Sequence, residues 1–98
     1  MAKILFERSG GFLEPPIDLT LDLDALAPHE AQHFMYLIED ADFFRFPEDL
    51  VTDANDEFIY TITVEAGDLR HRVRVSEMYL SEPLQMLVDE LSMLVPAS

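Results

Sequence analysis

Two alternating segments joined by a two-residue turn constrain the fold of this chain more than any other feature. Apolar residues occupy alternate positions from Phe58 to Val64 and again from His71 to Val75, where arginines separate them. A period of two is typical of strands with one buried and one solvated face. Gly67-Asp68 lies between the segments and suits a tight turn, so the sequence predicts an antiparallel hairpin.

Similar patterns predict the remaining elements. Alternation indicates strands at residues 3–8 and 17–24, and apolar residues at helical spacing indicate a helix over 28–42 and another that Ser81 caps. The polar residues 48–57 are interpreted as a loop. The order β-β-α-β-β-α predicts an α+β fold, in which a four-stranded, mainly antiparallel sheet carries both helices on one face. The length of 98 residues predicts one domain over 1–98.

The charge excludes several classes of partner. Twenty acidic and six basic residues give a net charge of −14, while 49% hydrophobic residues favour a folded chain. Such a charge repels nucleic acid and anionic membrane surfaces, so neither is expected as a partner. Residues 13–57 hold 13 acidic residues and a single basic one, Arg45. No signal segment is visible, which favours a cytoplasmic location, although secretion by another route stays open.

One segment matches a zinc-protease motif. His29-Glu30-Ala31-Gln32-His33 has the H-E-x-x-H spacing, in which two histidines hold zinc and the glutamate activates water. Pro28 places His29 in the first helical turn, beside the apolar stripe and in water. We therefore expect two solvated histidines, with no catalytic residue, resident metal or cofactor.

Two charged patterns have competing interpretations. Arg70, Arg72 and Arg74 share one strand face, which suits either an anion-binding stripe or, more simply, pairing with Glu65 and Glu57 across the hairpin. If two copies paired along this strand, their arginines would repel each other, so we expect a monomer. Asp53, Asn55 and Glu57 alternate faintly like a calcium loop but lack its glycine and its closing glutamate.

The segment Ser9-Gly10-Gly11-Phe12-Leu13 places two large apolar residues after a glycine pair. Glycines accept the positive φ of a turn. Leu13 has the same parity as Ile17 and Leu19. In one interpretation it is therefore the first residue on the core face of the second strand. The other is a presented loop whose apolar tip enters a partner's pocket.

Five stretches of the chain together resemble the emfourin family. They span nearly the whole chain and are Glu7-Arg8-Ser9-Gly10-Gly11-Phe12, Ala41-Asp42-Phe43-Phe44 with Pro47, Tyr60-Thr61-Ile62-Thr63-Val64-Glu65, His71-Arg72-Val73-Arg74-Val75 and Pro83-Leu84. Emfourins are small bacterial inhibitors of thermolysin-like zinc metalloproteases. The resemblance implies an inhibitor that is not an enzyme, with the zinc on its partner.

The resemblance also implies a partner-binding site. It would comprise Ser9, Gly10, Gly11, Phe12, Leu13 and Glu14 from the first loop, with Asp53 and Asn55 from the acidic segment. Phe12 or Leu13 would occupy the apolar pocket that follows the scissile bond. Two alternatives stay open: a non-inhibitory acidic interaction module, and a minimal zinc hydrolase that uses His29, Glu30 and His33.

Overall fold

The protein is described from a computed structural model, which covers residues 2–10, 16–52 and 57–95. Within these ranges the strands and α-helices are β1 (Ala2–Gly10), β2 (Ile17–Asp22), α1 (Pro28–Asp40), β3 (Asp49–Leu50), β4 (Phe58–Ala66), β5 (Leu69–Ser76) and α2 (Glu82–Leu94). Short 3₁₀ helices lie at Leu23–Ala25, Phe43–Arg45 and Glu77–Tyr79.

The strands form one sheet in the order β2-β1-β4-β5-β3. All neighbouring pairs are antiparallel except β3 and β5, which are parallel. This confirms the predicted α+β architecture with a mainly antiparallel sheet, but the sheet has five strands among the described residues, and the prediction of four was wrong. The additional strand is Asp49–Leu50, inside the segment that was interpreted as a loop. Two residues are too few to show alternation, and their pairing with Arg74 and Val75 is visible only in three dimensions.

The hydrophobic core lies between one face of the sheet and both helices. Each central strand contributes side chains of a single parity, as alternation requires. The buried core residues include Ile4, Phe6, Ile62, Val64, Val73 and Val75 from the strands and Phe34, Leu37, Ile38, Leu84, Leu87, Val88 and Leu91 from the helices. The predicted placement of both helices on one face of the sheet is therefore confirmed.

The helices begin in different ways. Ser81 caps α2 as predicted, because its Oγ accepts a hydrogen bond from the Leu84 amide at 3.3 Å. At α1 the preceding residue, Ala27, offers no side-chain cap, and Pro28 stands in the first turn, where an amide hydrogen is dispensable. No helix in the described ranges is both long and apolar enough to cross a membrane.

The opposite face of the sheet carries the arginines of β5. Arg70 Nε lies 3.8 Å from Glu65 Oε1, which agrees with the expected cross-strand pair. The expected pair with Glu57 is wrong, because Glu57 precedes β4 and its carboxylate turns to other donors. Arg74 Nη1 instead lies 3.9 Å from Asp49 Oδ1, on the strand that the sequence did not reveal. These pairs are long and exposed, so they add little stability.

Candidate protein-interaction site

Three neighbouring strands begin or end at the same end of the sheet. Gly10 ends β1 and pairs with Phe58, which begins β4, and the next residue of β4, Ile59, pairs with Ser76 at the end of β5. Residues 11–15 follow the first of these strands and residues 53–56 precede the second. The topology therefore brings together the attachment points of the two segments that the sequence predicts to bind a partner. We call Ser9, Gly10, Thr52, Glu57 and the 77–79 turn (Glu77–Tyr79) the loop end of the sheet.

The predicted site residues divide into two groups. Ser9 and Gly10 are the last two residues of β1, and both are exposed. The prediction that the turn starts at Ser9 and Gly10 was wrong, because both residues still pair with β4. The other predicted residues lie outside the described ranges and stay predictions: Gly11, Phe12, Leu13, Glu14, Asp53 and Asn55.

Gly10 cannot be replaced without strain. Its φ is +79°, a backbone conformation that side chains with a Cβ rarely adopt. A Cβ at this position would also lie 2.6 Å from the backbone carbonyl oxygen of Glu57. Glycine is thus required twice, for its φ and for the close approach of two strands. The start of one predicted segment is packed directly against the end of the other.

The Glu57 carboxylate links three parts of the loop end. Its Oε2 accepts a hydrogen bond from Thr52 Oγ1 at 2.7 Å, and its Oε1 accepts one from the Met78 amide at 2.7 Å. The Thr52 amide in turn donates to Oγ of Ser76, a fully buried residue, at 2.8 Å. Hydrogen bonds to a charged carboxylate are among the stronger ones in proteins. The residues on either side of 53–56 are therefore tied to each other and to the chain that follows β5.

An aromatic layer lies beneath the loop end. The Arg8 guanidinium stands 4.4 Å from the centre of the Phe58 ring, and the rings of Phe6 and Tyr60 stack at 5.9 Å. Burial raises the pKa of the Tyr60 hydroxyl, and the negative charge of Glu77 raises it further. Residues 11–15 and 53–56 are thus attached to strands whose side chains pack against each other.

Sequence reasoning missed Thr52, Glu57 and the 77–79 turn as parts of this site. Thr52 and Glu57 are five residues apart in a polar stretch, a spacing that matches no helix or strand period. Parity with β4 suggested that Glu57 would face the arginines. The one signal for this role was the position of Glu57 between an acidic segment and a strand. That position does not indicate which groups donate hydrogen bonds to it.

A family model of the emfourins matches residues 6–92 of this chain. The chain belongs to the emfourin family. The resemblance inferred from its motifs is therefore confirmed, and so is the prediction that it is not an enzyme, because emfourins are an inhibitor family. The match runs from β1 into α2, so it includes the whole loop end.

A solved structure similar to this family member is that of emfourin M4in from Serratia proteamaculans, which is described as an M4 family peptidase inhibitor. The two chains are 16% identical with a TM-score of 0.49, and the match covers 98% of this chain and 91% of that chain. Among curated proteins, no sequence matches the chain significantly.

The H-E-x-x-H match in this emfourin forms part of a helix-helix contact. His29 and His33 are exposed, as expected, and His33 Nε2 lies 3.1 Å from Glu90 Oε1 of α2. Both histidines line a cavity of about 350 Å³ whose other walls include Phe34 and Met93. In the part of the chain that the structure describes, no three histidine, aspartate or glutamate side chains are grouped to hold a metal ion. His33 therefore has a structural role in the contact between the helices.

Proposed function

We propose that this emfourin inhibits thermolysin-like zinc metalloproteases by binding across the protease cleft with the loop end of its sheet. Membership of an inhibitor family supports inhibition as the activity. The observation that carries the choice of surface is the contact between Gly10 and Glu57, since it joins the two segments predicted to bind.

The anchoring of the loop end suits an inhibitor. A loop that must be ordered on binding loses conformational entropy, which weakens the complex. Here both sides of residues 53–56 are held by the Glu57 carboxylate, and the start of residues 11–15 is held by the pairing of Gly10 with Phe58. The residues that flank the two segments are therefore in place before a partner binds. In this proposal Phe12 or Leu13 enters the apolar pocket that follows the scissile bond.

The acidic charge contributes to recognition. The chain has a net charge of −14, and Glu57 and Glu77 add negative charge at the loop end beside the predicted contacts Asp53 and Asn55. Charge of this kind acts mainly on the association rate and on the choice of partner. The zinc belongs to the protease, and this chain contributes carboxylate or carbonyl oxygens that approach it. Inhibition should therefore leave the zinc in place.

Titration against a thermolysin-like protease tests the proposal. We expect increasing amounts of the purified protein to suppress peptide hydrolysis to completion near a one-to-one ratio. The complex, isolated by gel filtration, should retain one zinc per protease, which separates cleft binding from chelation. If several such proteases keep full activity at micromolar inhibitor, the proposal is wrong. Binding without inhibition would instead support a non-inhibitory acidic interaction module.

The contact residues have their own test. Replacing Phe12 and Leu13 by alanine should raise the inhibition constant at least ~10-fold, the loss expected when a central apolar contact of an interface is truncated. Circular dichroism and thermal unfolding of the same variant are the control, because Leu13 has a competing interpretation as part of the core. Unchanged potency would move the contact elsewhere, and loss of folding would favour the core interpretation.

A further inference from the structure

We propose that the 77–79 turn is a third contact segment of the inhibitory surface, in which Met78 and Tyr79 bind the protease beside the two predicted loops. The inference rests on the proposed function and extends it to residues that neither the sequence motifs nor the family match singles out. It assigns the turn to the same protease partner.

Exposure of large apolar side chains is the first observation. Met78 is 68% exposed and Tyr79 is 46% exposed, although they follow a strand whose last two residues are fully buried. Methionine and tyrosine are enriched in protein interfaces, where the one adapts its shape and the other offers a rigid ring with a polar tip. Two such residues side by side form an apolar contact in an otherwise acidic region.

The position of the turn is the second observation. The Met78 amide donates to Glu57 Oε1, and Glu57 Oε2 accepts from Thr52, so one carboxylate holds the turn and both sides of residues 53–56. The carbonyl of Glu57 in turn packs against Gly10. Met78 and Tyr79 therefore continue the proposed site, and a protease on the loops would also meet the turn.

The rigidity of the turn is the third observation. The Leu80 amide donates to the Glu77 carbonyl at 3.3 Å, which closes the 3₁₀ turn, and Ser81 then caps α2. The turn is thus held between β5, the Glu57 carboxylate and a helix start. Side chains on such a segment lose little backbone entropy on binding.

The size of an inhibitor interface favours a third segment. Complexes of this kind bury about 800 Å² on each partner, which is about an eighth of the 6359 Å² surface of this chain. Residues 11–15 and 53–56 are two short segments, nine residues in all. The 77–79 turn is the exposed apolar segment that the Glu57 carboxylate links to them.

The test compares the double variant Met78→Ala/Tyr79→Ala with Leu69→Ala. Leu69 is a matched control because it is also apolar and 61% exposed, but it begins β5 at the opposite end of the sheet. We expect the double variant to raise the inhibition constant ~10- to 100-fold, mainly through faster dissociation, as loss of central apolar contacts does. Leu69→Ala should inhibit like the wild type.

Hydrogen exchange of the wild-type protein gives a second measurement that does not depend on how the variants fold. Protease binding should slow exchange in peptides that cover residues 77–80 and leave those around Leu69 unchanged. If the wild type inhibits but the double variant is equally potent and the turn gains no protection, this inference is wrong and the proposed function stands. If the wild type inhibits no thermolysin-like protease, the proposed function itself fails.

Discussion

Each end of the sheet has a glycine with a positive φ, but the surroundings of the two glycines differ. At the loop end Gly10 has φ +79° and faces the Glu57 carbonyl, so that a Cβ would lie 2.6 Å from it. At the other end, which we call the hairpin end, Gly67 has φ +60° in the β4–β5 turn, and no atom lies within 4 Å of the position of its Cβ. Gly67 is required for its backbone conformation alone, whereas Gly10 is also required for packing.

The surroundings differ in the same sense. At the hairpin end a cavity of about 260 Å³ lies next to Gly67, lined by Ala2, Lys3, Asp22 and Glu65. At the loop end the Glu57 carbonyl packs against Gly10, and the Glu57 carboxylate ties the segments together. A surface that binds a partner needs fixed geometry, whereas a hairpin turn needs only a permitted backbone conformation. The comparison therefore predicts that substitutions at the loop end have the larger effects.

Replacement of Gly10 by alanine should have the largest effect. A left-handed conformation costs an L-residue about 1–2 kcal/mol, and forcing an extra methyl into a packed site adds about 1–3 kcal/mol. We expect the variant to lose about 2–5 kcal/mol of unfolding free energy in urea titrations and to inhibit more weakly. A loss below about 1 kcal/mol would mean that the contact with the Glu57 carbonyl relaxes easily.

Replacement of Glu57 should come next. Glu57→Ala removes both acceptors and leaves the Met78 amide and the Thr52 hydroxyl without this partner, at a cost of about 1–3 kcal/mol. Glu57→Gln is the matched control, because an amide can accept from Met78 and donate to the Thr52 hydroxyl. We expect inhibition to weaken about 10-fold in the alanine variant and to survive largely in the glutamine variant. If the alanine variant inhibits as strongly as the glutamine variant and the wild type, the carboxylate does not hold the contact segments in place.

Replacement of Gly67 by alanine should cost only about 1–2 kcal/mol, because the left-handed conformation is the one penalty at this open position. Thermal unfolding and the inhibition assay together check this expectation. The inhibition constant should stay at the wild-type value, since the hairpin end lies outside the proposed site. A destabilisation as large as that of Gly10→Ala would remove the distinction between the two ends.

The smallest effect concerns the acidic surroundings of the loop end. Burial raises the pKa of Tyr60, and nearby Glu77 and Asp89 raise it further while Arg8 lowers it. The folded chain holds the hydroxyl proton of Tyr60 more tightly than the unfolded chain does. The stability that this proton contributes is therefore complete below about pH 10, the usual pKa of tyrosine. It is lost as the pH rises through the folded-state value.

Absorbance titration of the tyrosinates should show one tyrosine that ionises late, and Tyr60→Phe should remove that step. Glu77→Gln should move the step to lower pH, because it removes a negative charge that raises the pKa of Tyr60. An unchanged step in Glu77→Gln would show that Glu77 does not contribute to the raised pKa of Tyr60.

The regular elements of the fold were accessible from the sequence. The alternation in residues 58–75 predicted the hairpin, and the structure pairs Ile62 with Val73 as that pattern requires. Helical spacing placed α1 and α2, and Ser81 caps the second helix as expected. These predictions succeeded because a strand or helix that packs on one face has apolar residues at the regular spacing of its own period.

The site was accessible only in part. Ser9 and Gly10 were identified from the glycine pair and the family resemblance, but the prediction ended β1 too early. A strand continues as long as a neighbouring strand pairs with it, and β4 pairs with β1 as far as Gly10 and Phe58. The role of Glu57 was missed because no pattern marks either donor: Thr52 is five residues away, which matches no helix or strand period, and the other donor is the backbone amide of Met78.

By itself the sequence determined the order of the two helices and the four longer strands, the face that each buries and the family to which the chain belongs. The tertiary structure decided which segments meet. Gly10 and Glu57 come together because β1 pairs with β4, although the two strands are distant in the chain. Met78 joins them because β5 returns beside β4. Local patterns encode the period and polarity of each strand, whereas the choice of neighbour depends on how all the apolar faces share one core.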